Sequence, residues 1–230
     1  MIELHSWPTP NGLKISLFLE DAGVENTIFP VNIGKGEQFD PPFLKISPNN
    51  RIPAIIDTAP ADGGAPITLF ESGAILLYLA EKTGQFLSRD IRQRTTTLEW
   101  LFWQVGGLGP MAGQNGHFNV YAPEKVPYAI ERYVNETKRL YGVLDKQLDG
   151  RDYVAGDYSI ADMAIYPWIV PHENHKQNLA DHPHLKRWFD RVGARPAVLK
   201  VYAGKEAAYG ARTTPMTDEE RAILFGSRPK

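Results

Sequence analysis

The chain has 230 residues, 43% hydrophobic and 23% charged, an ordinary globular composition with length for one large domain or two small ones. A formal net charge of −2 gives no electrostatic basis for binding nucleic acid or an anionic membrane. The absence of cysteine excludes disulfides, thiolate metal sites, a cysteine nucleophile and a protein-borne redox dithiol, so any thiol chemistry needs a thiol supplied by a ligand. No apolar run reaches the roughly 18 residues of a membrane helix, and Met1 to His5 lack the basic and apolar regions of a signal peptide. Cytoplasm is the expected compartment.

Met1 to Leu4 is an apolar opening that leads into the turn Trp7-Pro8-Thr9-Pro10-Asn11-Gly12. Each proline biases the residue before it toward extended geometry, so Thr9 is placed as an N-cap and Pro10 at the first helical position. The turn offers a hydroxyl, a carboxamide and free N–H groups at a helix N-terminus, which suits an anion. The competing reading is that Thr9 only caps its own helix. Leu13 to Gly23 then places Ile15, Phe18, Leu19 and Ala22 on one helical face, with Gly23 as C-cap. Thr27 to Val31 reads as a strand, Gly34 to Phe39 as a mobile loop, and Pro41 to Ile46 as a possible short helix. Ile52 to Asp57 is a buried strand opening on a proline, which belongs at a strand's start or edge. A Gly- and Pro-containing loop follows, then a returning strand Thr68 to Phe70, and Glu71-Ser72-Gly73 opens a helix that ends near Gly84.

Beyond Phe86 the pattern is helical. Leu98, Leu101, Phe102 and Val105 form an expected apolar face, with Trp100 and Trp103 beside it. Gly106 to Pro110 should interrupt or kink that helix. Pro123 to Tyr128 begins a long segment, and Ser159-Ile160-Ala161-Asp162 reads as a capped helix start. Leu185 to Val192 is amphipathic, and the residues after 205 read as an appendage in which Ile223 to Phe225 could dock. The expected organisation is an α/β unit over residues 1–82, a linker over 83–90, an all-α unit over 91–205 and a tail over 206–230.

The order βαβ then ββα, with Ile52-Pro53 opening the third strand, resembles the thioredoxin fold. That resemblance implies a cis proline and a free backbone at Ile52 for pairing with a peptide-like ligand. On residues alone, Ile52-Pro53 also reads as an ordinary trans turn, and Glu71-Ser72 as a plain N-cap. Together, Asn50 to Ala54, Phe70 to Ile75 and Ser159 to Asp162 resemble the cytosolic glutathione transferases over roughly residues 1 to 203. Thr9 to Gly12, Gly34 to Gly36, Trp103 to Met111 and Glu131-Arg132-Tyr133 resemble the bacterial nu class, known as glutathione-dependent disulfide-bond oxidoreductases.

The resemblance implies glutathione as the ligand, no metal, a small disulfide substrate and a homodimer. It implies that the Ile52 backbone, beside Pro53, pairs with the cysteinyl unit, that Glu71 and Ser72 hold the γ-glutamyl end, and that Gln38 reaches the glycyl end or nearby backbone. Thr9 and Asn11 would face the sulfur, and Arg132 would lean toward a second glutathione; on residues alone, Arg132 reads rather as an (i, i+4) partner of Glu136 on a solvated face. The sequence departs from many transferases in having His5, Ser6 and Trp7 where a tyrosine, serine or cysteine often serves the sulfur, which leaves Ser6 and His5 as alternatives. The implied activity is disulfide reduction by bound glutathione. Conjugation of glutathione to electrophiles and a non-catalytic regulatory role on the same fold stand as the other readings.

Overall fold

The computed structural model describes residues 1–209 and 216–226. The chain folds as two compact units: Met1–Thr83 together with the described residues from Leu199 onward, and Gly84–Val198.

In the first unit, β1 (Ile2–Ser6) buries alternate residues and forms the second strand of a four-stranded sheet. β2 (Asn26–Pro30) runs parallel to it on one side, and β3 (Ala54–Asp57) runs antiparallel on the other. β4 (Ile67–Phe70) pairs antiparallel with β3, giving the order β2-β1-β3-β4. β2 is an edge strand exposed along its whole length. It starts one residue before the expected Thr27 and stops at Pro30, which lacks the N–H needed to extend a ladder. Val31 is buried just beyond it.

Helix α1 (Pro10–Ala22) begins after Thr9 with Pro10 in its first turn and ends at Gly23, which has φ 65° and donates to Glu20 and Leu19 carbonyls. Both ends follow from local chemistry, since an extended N-cap and a left-handed C-cap satisfy the orphan backbone groups. α1 packs on α3 (Ser72–Thr83), and Ile15, Phe18, Leu19, Ile75, Leu76 and Leu79 are all at or below 2% exposure. Each such side chain contributes about 1.5–3 kcal/mol of burial free energy. Asp57, 0% exposed, fastens α3 to the sheet by accepting from Tyr78 at 2.7 Å and Lys82 at 2.5 Å. The short helix α2 (Pro41–Leu44) follows a 3-10 turn that carries Gln38.

The second unit starts with α4 (Ile91–Trp103). The expected interruption at Gly106 to Pro110 takes the form of a π-helical turn over Gln104–Leu108, with Gly109 N–H donating to the Gln104 carbonyl, before α5 (Gly109–Gly116). Pro110 is tolerated because it lies in the first turn of α5. A second π-helical turn covers His117–Tyr121. The expected apolar face is corrected. Phe102 is 64% exposed, and the buried stripe is Thr97, Leu101, Gln104 and Leu108. Those four positions follow one helical face at i, i+4, i+7 and i+11, and the Thr97 hydroxyl is satisfied by the Gln93 carbonyl at 3.0 Å.

α6 (Pro127–Gln147) starts inside the expected segment and buries Thr137, Leu140, Tyr141 and Leu144. α7 (Ile160–Ile169) opens on the Ser159–Asp162 capping box, and α8 (Pro183–Gly193) buries Leu185, Trp188 and Val192. α9 (Pro196–Tyr209) continues past residue 205. α10 (Asp218–Phe225) opens on a capping box between Thr217 and Glu220. A β-carbon on Gly36 would stand 3.7 Å from Ile223 Cγ2, so α10 lies against the Gly34–Gly36 loop. Among the described residues no helix is long and apolar enough to cross a membrane.

Candidate functional site

The β1–α1 turn is tightly closed. Thr9 N–H donates to the Trp7 carbonyl at 2.7 Å, and Thr9 is extended at φ −97°, ψ 165°. Its hydroxyl accepts from Gly12 N–H at 3.4 Å, beyond the usual range for such a bond, so the cap holds the hydroxyl only loosely. Asn11 stands in the first turn of α1.

Asn11, Asn49, Arg51, Ile52, Pro53, Phe70, Glu71 and Ser72 line one cleft of about 270 Å³. Four chain segments converge there: the start of α1, the loop before β3, the end of β4 and the start of α3. The Ile52–Pro53 peptide bond is cis. The ladder starts at Ala54, so the N–H and C=O of Ile52 stand outside the sheet. Glu71 holds the left-handed conformation at φ 71°, a strained geometry for a side chain of its size, and its carbonyl accepts from Ile75 at the start of α3.

Beneath this wall lies Lys14, which sequence reasoning missed. It is 1% exposed and its Nζ donates to Ser72 Oγ at 3.2 Å. Burial pulls its ammonium down to about 7, against the charge of Glu71, which raises it. One signal could have revealed it: Lys14 lies four residues before Phe18, within the buried face of α1.

The other expected residues lie elsewhere. Gln38 is 2% exposed in the first unit and is not part of the cleft lining, and its Oε1 is buried with no hydrogen-bond partner among the described residues. Arg132 stands on α6 in the second unit, 3.7 Å from Glu136 and with its side chain 55% exposed. Arg139 holds the same Glu136 with two bonds, at 2.9 and 2.6 Å, so the carboxylate is already engaged. His5 is stacked on Phe29 with ring centroids 4.9 Å apart, and burial lowers its pKa against the opposing pull of Glu3. Ser6 is 5% exposed, and its hydroxyl is 3.4 Å from the Trp7 carbonyl, outside the cleft lining. Among the described residues no group of three or more His, Asp or Glu side chains is placed to hold a metal ion.

A thioredoxin-like sheet and a helical unit, with a cis-proline cleft at a helix start, define the glutathione transferase class. Residues 1–81 match the family model described as glutathione S-transferase, N-terminal domain, and residues 116–196 match glutathione S-transferase, C-terminal domain. The chain is 57% identical over 211 residues to the disulfide-bond oxidoreductase YfcG of Escherichia coli strain K12, covering 90% of this chain and 98% of that protein. A glutathione transferase family member from Pseudomonas fluorescens, solved with two glutathione bound, superposes with TM-score 0.82 at 45% identity, covering 87% of this chain and 91% of that one. A glutathione transferase from Pseudomonas putida, solved with one glutathione disulfide per subunit, superposes equally well at 44% identity, covering 87% and 90%. The chain belongs to the glutathione transferase superfamily of enzymes.

Proposed function

We propose that this chain is a nu-class, glutathione-dependent disulfide-bond reductase that works in the cytoplasm, where glutathione keeps thiols reduced. The observation that carries the reading is the convergence of Asn11, Ile52–Pro53, Glu71 and Ser72 on one cleft in a chain without cysteine. The Ile52 backbone pairs with the cysteinyl unit of glutathione, Glu71 takes the γ-glutamyl ammonium and Ser72 its carboxylate. The sulfur then lies toward Thr9, Asn11 and the N-terminus of α1. A free thiol has a pKa near 8.5; hydrogen bonds from Thr9 and Asn11, with the helix N-terminus, favour the reactive thiolate.

The chemistry is two exchanges. The glutathione thiolate attacks the substrate disulfide, forming a glutathione–substrate mixed disulfide and releasing one substrate thiolate, which takes a proton. A second glutathione thiolate, received by Arg132, attacks the glutathione sulfur of that mixed disulfide, releasing the second substrate thiol and leaving glutathione disulfide. Two glutathiones are oxidised and one disulfide is reduced. No protein cysteine or metal takes part. The reading also includes a homodimer, and the exposed Phe102 is the kind of apolar surface that pairing would cover.

The test is turnover of a small dialkyl disulfide with glutathione by the purified protein, followed as glutathione disulfide. The expected rate stands well above the uncatalysed exchange. A rate no higher than the uncatalysed one, or conjugation of an aryl halide far outrunning disulfide reduction, would overturn the reading.

A further inference from the structure

Lys14 is a buried cation that no step above uses. Its Nζ lies 3.2 Å from Ser72 Oγ, and Ser72 lines the cleft with Glu71 beside it. An ammonium has three donors and no acceptor, whereas a hydroxyl has one donor and two lone pairs. The contact therefore occupies a lone pair of Ser72 and leaves its proton for some other acceptor. Ser72 is also the first residue of α3, where backbone N–H groups add positive potential. From this geometry we propose that Lys14 is a positioning residue that makes Ser72 a donor, so that the subsite accepts a carboxylate beside the ammonium partner Glu71.

The proposal rests on the glutathione reading above. It accounts for a lysine held at 1% exposure where an apolar residue would pack without a desolvation cost. Burial lowers the Lys14 pKa to about 7 and the charge of Glu71 opposes that fall, so a carboxylate bound beside Ser72 would further favour the ammonium form that the proposal uses. With Lys14 replaced by an apolar residue, the Ser72 hydroxyl is as able to accept as to donate, and its preference for a carboxylate is lost.

The experiment measures binding of two probes by calorimetry on the full chain. One is glutathione; the other is the analogue lacking only the α-carboxylate of the γ-glutamyl end. Lys14→Met is expected to weaken glutathione by roughly tenfold or more, the scale of a hydrogen bond to a charged group, with the analogue nearly unchanged. Lys14→Arg, which keeps the charge and the donors, is expected to retain the preference. Equal weakening of both probes, or unchanged glutathione binding in Lys14→Met, would overturn the proposal. If Lys14→Met does not fold, side-chain spectra of the unaltered protein labelled with [15N]lysine replace it, because Lys14 is the buried lysine among the described residues. Its slowly exchanging ammonium signal should move with glutathione and stay still with the analogue; a signal indifferent to glutathione would overturn the proposal. Failure of the unaltered protein to bind glutathione would instead overturn the function itself.

Discussion

The indole N–H of Trp188 donates to Asp162 Oδ1 at 2.7 Å, joining two side chains that are 1% and 0% exposed. The same carboxylate accepts from Val154 N–H at 3.0 Å, Ser159 N–H at 3.0 Å and the Ser159 hydroxyl at 3.2 Å. One side chain thus caps α7, holds the preceding loop and anchors α8. Trp188→Phe removes one of these bonds and should cost about 1–3 kcal/mol. Asp162→Ala leaves several buried donors unpaired and should cost about 3–5 kcal/mol. Urea denaturation followed by circular dichroism separates the two; equal losses would place the stabilisation in ring packing alone.

The second unit should answer pH in two opposing ways. Burial pushes the Asp162 carboxyl up to about 6 despite its hydrogen bonds, so the folded state holds that proton more tightly than the unfolded chain does. Its contribution is full below the ordinary value of 3.8 and declines as pH rises to about 6. Burial, with His172 nearby, pulls His175 down from 6.5 to about 4, so its contribution is full above 6.5 and declines as pH falls to about 4. His175→Gln should therefore leave a protein whose stability falls with rising pH between about 4 and 6, and Asp162→Asn one whose stability rises there. Denaturant curves across that window check both slopes, and unchanged slopes in either variant would count against the assignment.

Gly12 is required by close approach. A β-carbon there would stand 2.2 Å from the Trp7 carbonyl oxygen and 2.4 Å from Ser6 Oγ. Gly12→Ala must open the β1–α1 turn, and about 2–3 kcal/mol is the expected loss. Gly142, inside α6 with nothing within 4 Å of an added β-carbon, is the contrasting site. Gly142→Ala should be neutral or stabilise by up to about 1 kcal/mol. Thermal melts of the two variants should move in opposite directions.

At the proposed thiol site, Asn11→Ala should lower disulfide reduction by about ten- to a hundredfold, the scale of a hydrogen bond to a charged sulfur, with a much smaller change in melting temperature. Arg132→Ala should also lower turnover. Its cost in stability should be within about 0.5 kcal/mol, because Glu136 keeps the two bonds of Arg139. Arg139→Ala is the control, expected to keep full turnover. Wild-type activity in Asn11→Ala and Arg132→Ala would remove both residues from the mechanism.

Much of the fold was readable from near neighbours in the chain. Thr9 as N-cap, Pro10 in the first turn, Gly23 as the left-handed C-cap and the Ser159–Asp162 capping box each depend on backbone chemistry within a few residues. The α/β order and the helical second half followed from periodicity, and Asn11, Ile52, Pro53, Glu71 and Ser72 came from short motifs. The cysteine-free composition alone required that any thiol be brought by a ligand.

Only tertiary structure decided the rest, because burial and partnership depend on segments far apart in the chain. Helical periodicity placed Phe102 inside, but the side of α4 that packs carries Thr97, Leu101 and Gln104 and leaves Phe102 64% exposed. Lys14 drew no reading from the sequence, and it is α3 packing against α1 that brings Ser72, 58 positions on, to its buried ammonium. Sequence supplied local geometry and residue chemistry; packing determined which of those residues share one cleft.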